Sequence, residues 1–354
     1  MSAGHRIAAV IRKPFFWGVV AILVLLAVNV VKDPSYLAIR VSPGTGNLAG
    51  NLLDILRYSA PILLVATGMS MVIATGGIDL SVGSVMCVSG AVSMQFLAGA
   101  NAPDSVTAAL TAIGLSLALG TALGVFSGIL VAYVGLQPFI TTLVMMLAGR
   151  GLAKVITGGQ NTPSTNEPFR WIANGYVARF PVVFLIAITI VAITALVVRR
   201  TALGMMIESI GVNPAASRLA GIRSHTLLVT VYAVSALLAA MAGILSVSTV
   251  MRVDVSQTGY QMELDAILAV VIGGTSLAGG TFSIGGAVVG ALLIATLDKT
   301  VAFLGMPSSA TPAFKAGVIV VLCLLQSERV RGAIRRRRSA APAAPVEPKV
   351  RVAA

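Results

Sequence analysis

Side chains able to do chemistry are few in this sequence and badly spaced for catalysis. The only histidines are His5 and His225, each beside the end of an apolar run, so no histidine-based metal site or nucleophile triad assembles. The two cysteines, Cys87 and Cys323, lie inside apolar runs without metal-ligand spacing and read as packing residues. No Gly-Lys pair occurs, so the chain has no GxxxxGK[ST] loop to cradle ATP. There is also no run of paired carboxylates within the apolar segments, of the kind proton- or sodium-coupled carriers use. These residues predict no catalytic site, no metal site and no bound cofactor; any ATP energy must come from a partner.

The first informative pattern is a repeated octet. Gly76-Gly77-Ile78-Asp79-Leu80-Ser81-Val82-Gly83 and Gly273-Gly274-Thr275-Ser276-Leu277-Ala278-Gly279-Gly280 both read GGxxLxxG, and each follows an apolar run. Paired glycines there break a helix and free backbone groups that protein or cavity water must satisfy. Such breaks in two related halves mark translocation regions; they are also what ordinary glycine-rich turns look like. Asp79 is the only acid in either copy. It is placed to cap the following helix together with Ser81, and substrate contact is the other reading.

The second pattern is the polar segment 199–226. Asn213-Pro214 starts a short helix well, with Ala215, Ala216, Leu219 and Ala220 at helical spacing and Gly221 to end it. Its small residues suit close approach to a partner's groove, or packing on its own bundle. The third is Arg150 and Lys154, four residues apart on one helical face. Arg150 is expected about 18 Å from the helix start, past the midplane and near the outer leaflet, where a cation is a functional candidate unless it snorkels. Lys154 reads as snorkelling, and Arg57, Lys299 and Lys315 as interfacial. The loop 158–180, with Trp171 and Tyr176, reads as an exposed outer surface.

The elements that must position these residues follow from composition. The chain has 354 residues, 57% hydrophobic and only 10% charged, with mean hydropathy +0.95. A soluble domain is about 25% charged, so both a soluble globule and a disordered chain are excluded. The 36 glycines suit close helix packing in a membrane. Ten apolar spans are expected, at 15–31, 55–75, 82–100, 105–134, 138–157, 181–198, 227–250, 265–280, 284–297 and 312–326. The first is read as retained, not as a cleaved signal. The segment 105–134 is either one tilted helix or a helix plus a re-entrant piece.

The formal charge of +13 orients the chain rather than implying nucleic acid. Fifteen Lys and Arg fall in 1–14, 199–226 and 328–354, against five in the alternate segments, which puts both termini in the cytoplasm. The domain reading is a cytoplasmic segment 1–14, a transmembrane unit 15–327, and a basic tail 328–354 that rests against anionic lipid.

Four segments, in order, closely resemble the permeases of ribose-type ABC sugar importers, the binding-protein-dependent inner membrane components. They are GMSMVIATGGIDLSVGSVMCVSGAV (68–92), QPFITTLVMMLAGRGLAKVITGG (137–159), TALGMMIESIGVNPAASRLAGI (201–222) and LDAILAVVIGGTSLAGGTFSIGGAVVGALL (264–293). Within that family, the coupling loop and the ELDAILAVVIGG run look most like galactofuranose-importer permeases. The resemblance implies an all-α polytopic fold of about ten transmembrane helices. It also implies a partner ATPase that uses ATP and Mg, a periplasmic sugar-binding protein, and a second permease copy or paralogue. The cargo it implies is a pentose or a furanose-form hexose.

Positions carried over for coupling to the ATPase are Gly204, Glu208, Gly211, Asn213, Ala215, Ala216 and Gly221. Glu208 has either Arg218 or a basic residue of the ATPase as its partner. Candidates for the path or its helix breaks are Gly76, Gly77, Asp79, Arg150, Gly273 and Gly274. The competing reading from another class is a stand-alone ion-coupled carrier or channel for a small polar solute.

Overall fold

The computed structural model describes residues 14–42 and 46–326. The segment 1–13 and the basic tail 328–354 lie outside the described residues. The helices are α1 (Pro14–Lys32), α2 (Asn51–Ala74), α3 (Val82–Ala100), α4 (Val106–Ala132), α5 (Pro138–Thr157), α6 (Glu167–Asn174) and α7 (Val182–Arg200). They continue as α8 (Leu203–Val212), α9 (Pro214–Leu219), α10 (Ser224–Val250), α11 (Met262–Ile272), α12 (Ile284–Phe303) and α13 (Thr311–Gln326). Among the described residues, strand is confined to two-residue pairs in the loops.

Among the described residues, eight helices are long and apolar enough to cross a membrane: α1 to α5, α7, α10 and α12. Local chemistry sets several of their ends. Ser105 Oγ accepts from Ala108 N at 3.1 Å at the start of α4. Ser283 Oγ does the same for Gly286 N at the start of α12, and Pro138 opens α5 with its ring already set for a helix. The segment read as 105–134 is one continuous helix of 27 residues. At 1.5 Å per residue that is about 40 Å, so α4 crosses at a tilt.

Ten crossings remain, but one is not the helix expected at 265–280. Beyond α10 the chain pairs Arg252 and Val253 with Pro163 and Thr162 in the loop after α5. It then descends without helix through 254–261, and only α11, 11 residues or about 16 Å, completes the passage. Helix formation stops at Ile272 because Gly273 packs backbone to backbone on Gly286 of α12. The residues 273–280 are therefore loop, a correction to the expected span. The short α13, 16 residues, makes the last crossing.

Contacts align the ends of the bundle. Lys32 Nζ donates to Phe303 O at 2.9 Å, and Asn29 Nδ2 to Thr300 Oγ1 at 2.8 Å, so α1 and α12 finish side by side. α13 then returns along α1, which places Pro14 and Gln326 at one end of the bundle with α8, α9 and Ala74. This is called the basic end below. The centre is α2 and α3, whose best membrane-length windows are 78% and 72% buried, against 22% for α1.

The most extensive packing joins α4 to α10. Ala112, Ser116, Gly120, Gly124, Gly128 and Ala132 recur every fourth residue of α4 and are all buried. The three glycines lie against Ala240, Ala236 and Val229 of α10, and a Cβ on Gly128 would sit 2.8 Å from the Val229 Cα. Helices in lipid associate by close packing, so this seam holds the bundle.

Gly124→Leu should therefore lower the thermal midpoint of the purified protein and broaden its size-exclusion peak, by about 1–3 kcal/mol of overpacking. Gly114→Leu, on the same helix with nothing within 4 Å of its absent Cβ, should leave both unchanged. Equal behaviour of the two variants would show that the seam is not tightly packed.

Candidate functional site

The two octets, almost 200 residues apart in sequence, meet at the basic end. The first closes the end of α2. Gly76 N donates to Ile73 O at 2.9 Å and Gly77 N to Val72 O at 3.2 Å. The chain then reaches α3 through a short non-helical stretch whose Ile78 carbonyl accepts from Thr142 Oγ1 at 3.0 Å. The second octet closes α11 in the same way, with Gly273 N on Ala269 O and Gly274 N on Val271 O. Gly280 N then donates to Ala74 O at 2.9 Å, and a Cβ on Gly279 would meet Gly76 N at 3.0 Å. Gly279 and Gly280 hold φ of +82° and +83°, a conformation that favours glycine.

Asp79 is buried at this break. One oxygen accepts from Ser81 N at 3.0 Å and Ser81 Oγ at 2.5 Å, a turn just ahead of α3 rather than the expected cap, since the N-cap position Ser81 has no side-chain capping bond. The other accepts from Ser235 Oγ of α10 at 3.0 Å, a tie across 156 residues that local spacing does not reveal. Both oxygens are thus engaged in holding the break.

The segment 199–226 folds as two helices, of which the first, α8, was not expected. Ile207 and Ile210 point into the bundle, and Met205 and Val212 point away from it. Gly204 lets α8 turn back over Val198 O. Gly211 packs directly on Ala74 O and Gly280 N, over the hydrogen bond that joins the octets, with no room for a Cβ. α8 is thereby seated on both helix breaks. Asn213 caps α9 as expected, its Oδ1 accepting from Ala215 N and Ala216 N at 3.0 Å each. Gly221 follows at φ +85°. Ala215, Ala216, Leu219 and Ala220 are all exposed, so α9 presents that face outward. Arg218 bonds Pro214 O at 3.3 Å, and half-buried Glu208 has no ion pair among the described residues. A cavity of about 310 Å³ separates α9 from the first octet, lined by Gly76, Gly77, Arg218, His225 and Tyr232 among others.

Arg150 is not with this group. It reaches sideways from α5, its Nη1 donating to Thr258 O at 2.6 Å and lying 3.5 Å from Val255 O. It thus holds the descending segment 254–261. Gly259 of that run of turns and Glu263 in the first turn of α11 pack on Gly83 at the start of α3. Lys154 is exposed.

The comparisons fit this geometry. Residues 51–325 match the family described as branched-chain amino acid transport system / permease component. The chain belongs to this permease family. A fructose import permease of Bifidobacterium longum is 50% identical over 89% of this chain and 88% of its own. The galactofuranose transporter permease of Escherichia coli is 39% identical, over 90% and 92%. The ribose import permease of the same species is 38% identical, over 88% and 92%. No solved structure matches the chain.

As a transport permease it is not itself a catalytic enzyme, and among its described residues no group of three His, Cys, Asp or Glu is placed to hold a metal ion. Arg57, Lys299 and Lys315, read as interfacial, lie near the ends of α2, α12 and α13, and each has a partner. Lys315 of α13 bonds Asp265 of α11 at 2.8 Å and Asp298 of α12 at 2.9 Å. Lys299 bonds Asp54 of α2 at 2.6 Å, and Arg57 donates to Tyr176 Oη and Asn174 Oδ1, fixing α6. Two carboxylates do converge here, then, but on a lysine that occupies them. On α6, in the loop between α5 and α7, Trp171 is 52% exposed.

Arg150→Leu removes the donor on which Thr258 O depends and leaves that carbonyl unsatisfied, a cost of about 1–3 kcal/mol. The variant should melt at lower temperature in detergent, and Arg150→Lys should fall between it and the parent. An unchanged melting point for Arg150→Leu would show that the segment holds itself.

Proposed function

We propose that the chain is the transmembrane subunit of an ATP-binding-cassette importer that moves a monosaccharide from periplasm to cytoplasm across a bacterial inner membrane. The basic end faces the cytoplasm in this reading, with both termini there, because the Lys and Arg excess lies at that end. The cargo class is a pentose or a furanose-form hexose, galactofuranose included. Fructose, galactofuranose and ribose, the sugars in the names of the three relatives, all have a five-membered ring form.

The observation that carries the reading is the seat of α8. A cytoplasmic helix whose Gly211 rests on both helix breaks is placed to convey force from a protein below to the middle of the bundle. The partner below is an ATPase subunit, which holds the ATP and Mg; this chain binds neither. The exposed faces of α8 and α9 are its docking surface, with Glu208 available to a basic residue. A periplasmic binding protein delivers sugar at the opposite end, on the loop that carries Trp171. A second permease copy or a paralogue completes the path, and lipid surrounds the pair. The energetics are those of a population shift, in which ATP and the loaded binding protein each favour a different state.

The direct test is reconstitution of the permease with its cognate ATPase and binding protein in proteoliposomes. Sugar uptake should require ATP. Uptake that persists without ATP, driven by an ion gradient, would instead fit a stand-alone carrier. Glu208→Lys should insert and fold as the parent does but lose most ATP-driven uptake, by about tenfold or more. Normal uptake by that variant would remove Glu208 from the ATPase contact.

A further inference from the structure

The importer reading leaves open where the sugar touches this chain, and the octets do not supply that surface. Their polar groups are spent on one another and on α8. The descending segment 254–261 is different. Gly83, against which Gly259 packs, lies 17 residues before Ala100 at the far end of α3. Met86, three residues on from Gly83, packs on Gly243, seven residues before the end of α10, so at 1.5 Å per residue Gly259 lies about 15 Å below that end, near the middle of a hydrocarbon core of about 30 Å.

Irregular backbone at such depth persists only where protein buries it or where it lines a watery cavity. One face of the segment is buried: Val253, Val255 and Gly259 lie against α3. The other face carries Ser256, Gln257 and Tyr260, all exposed, with Tyr260 at 60%. Polar side chains on a run of turns do not suit lipid tails. Gln257 and Tyr260 border a groove of about 790 Å³ between this segment and the first turns of α13, which also includes Gln261, Asp265, Thr311 and Lys315.

Resting on the importer reading, we propose that this groove is the sugar-contacting wall of the translocation path, with Tyr260, Gln257 and Gln261 as its recognition residues. The chemistry matches a monosaccharide. An amide donates and accepts at once, which suits neighbouring hydroxyls. A tyrosine ring offers a flat apolar face for the C–H side of a sugar ring. Gln261 Nε2 lies 3.4 Å from Tyr260 Oη, so the two side chains are already gathered on one side. The ion pair of Asp265 and Lys315 closes the groove at one end without leaving a free charge to trap the cargo. Arg150 and Glu263 stand behind the segment and hold it rather than touch the sugar.

The test uses the full reconstituted transporter and labelled ribose, fructose and galactofuranose. Tyr260→Ala should cut uptake by about tenfold or more, Tyr260→Phe should retain most of it, and Gln257→Leu should change the order of preference among the sugars. Parental uptake and preference in both Tyr260→Ala and Gln257→Leu would overturn the proposal. A parent that imports none of these sugars would sink the importer reading itself, which is a separate outcome. A second measurement does not depend on those variants folding. With Cys87 and Cys323 replaced by serine, Gln257→Cys should react with a hydrophilic thiol reagent during turnover, and excess transported sugar should slow the reaction. Val144→Cys, on an exposed apolar face of α5, should not react. A Gln257→Cys as inert as Val144→Cys would place the segment against lipid and overturn the proposal.

Discussion

Inside a bilayer the backbone has no water to bond, so every amide and carbonyl must find its partner within the protein. Most of this chain meets that demand by forming helices. It is hardest to meet where helices stop short of a full crossing, at 75–81 and on both sides of α11. There the bonds are individual and long-range: Gly280 N to Ala74 O, Thr142 Oγ1 to Ile78 O, Arg150 Nη1 to Thr258 O, and Ser235 Oγ to Asp79. The two breaks satisfy each other, and α8 sits where they do so. The centre of the molecule is organised around that junction.

The rest of the bundle supports it from two sides. The small-residue seam of α4 and α10 brings α10 close enough for Ser235 to reach Asp79, and Tyr232 close to Gly77. At the opposite end, ion pairs tie α2, α11, α12 and α13 together. Charges that would be expensive alone in the membrane are each given a partner. The half-helix α11 is thus held at both its ends, by Asp265 near its start and by Gly273 against Gly286 at its finish. An element held at its ends beside an irregular segment is suited to transmit a shift along its axis, which is what the coupling reading requires.

Much of this was legible in the sequence. Apolar runs gave nine of the ten crossings to within a few residues, and Asn213-Pro214 with Gly221 marked α9. The octets read either as helix breaks or as glycine-rich turns between helices, and α2 and α11 do end beside Gly76 and Gly273. What the sequence hid were contacts between distant residues. Nothing near Lys299 points to Asp54, 245 positions away, and nothing near Gly211 points to Ala74 and Gly280. Apolar content also misled at 265–280. A hydrophobic run reports burial, not helix, and backbone-to-backbone packing at Gly273 decided where α11 ended. The irregular descent at 254–261, too polar to look like a span, was missed for the complementary reason.

The junction depends on Gly211 as the contact between α8 and the two breaks. The measurement that tests it is the number of sugar molecules imported per ATP hydrolysed, in proteoliposomes, for the parent and for Gly211→Ala, Gly211→Val and Gly211→Trp. If α8 drives the junction through this contact, the ratio should fall stepwise as the side chain grows, while hydrolysis continues in correctly folded protein. A Gly211→Trp transporter that folds and keeps the parental ratio would contradict the account.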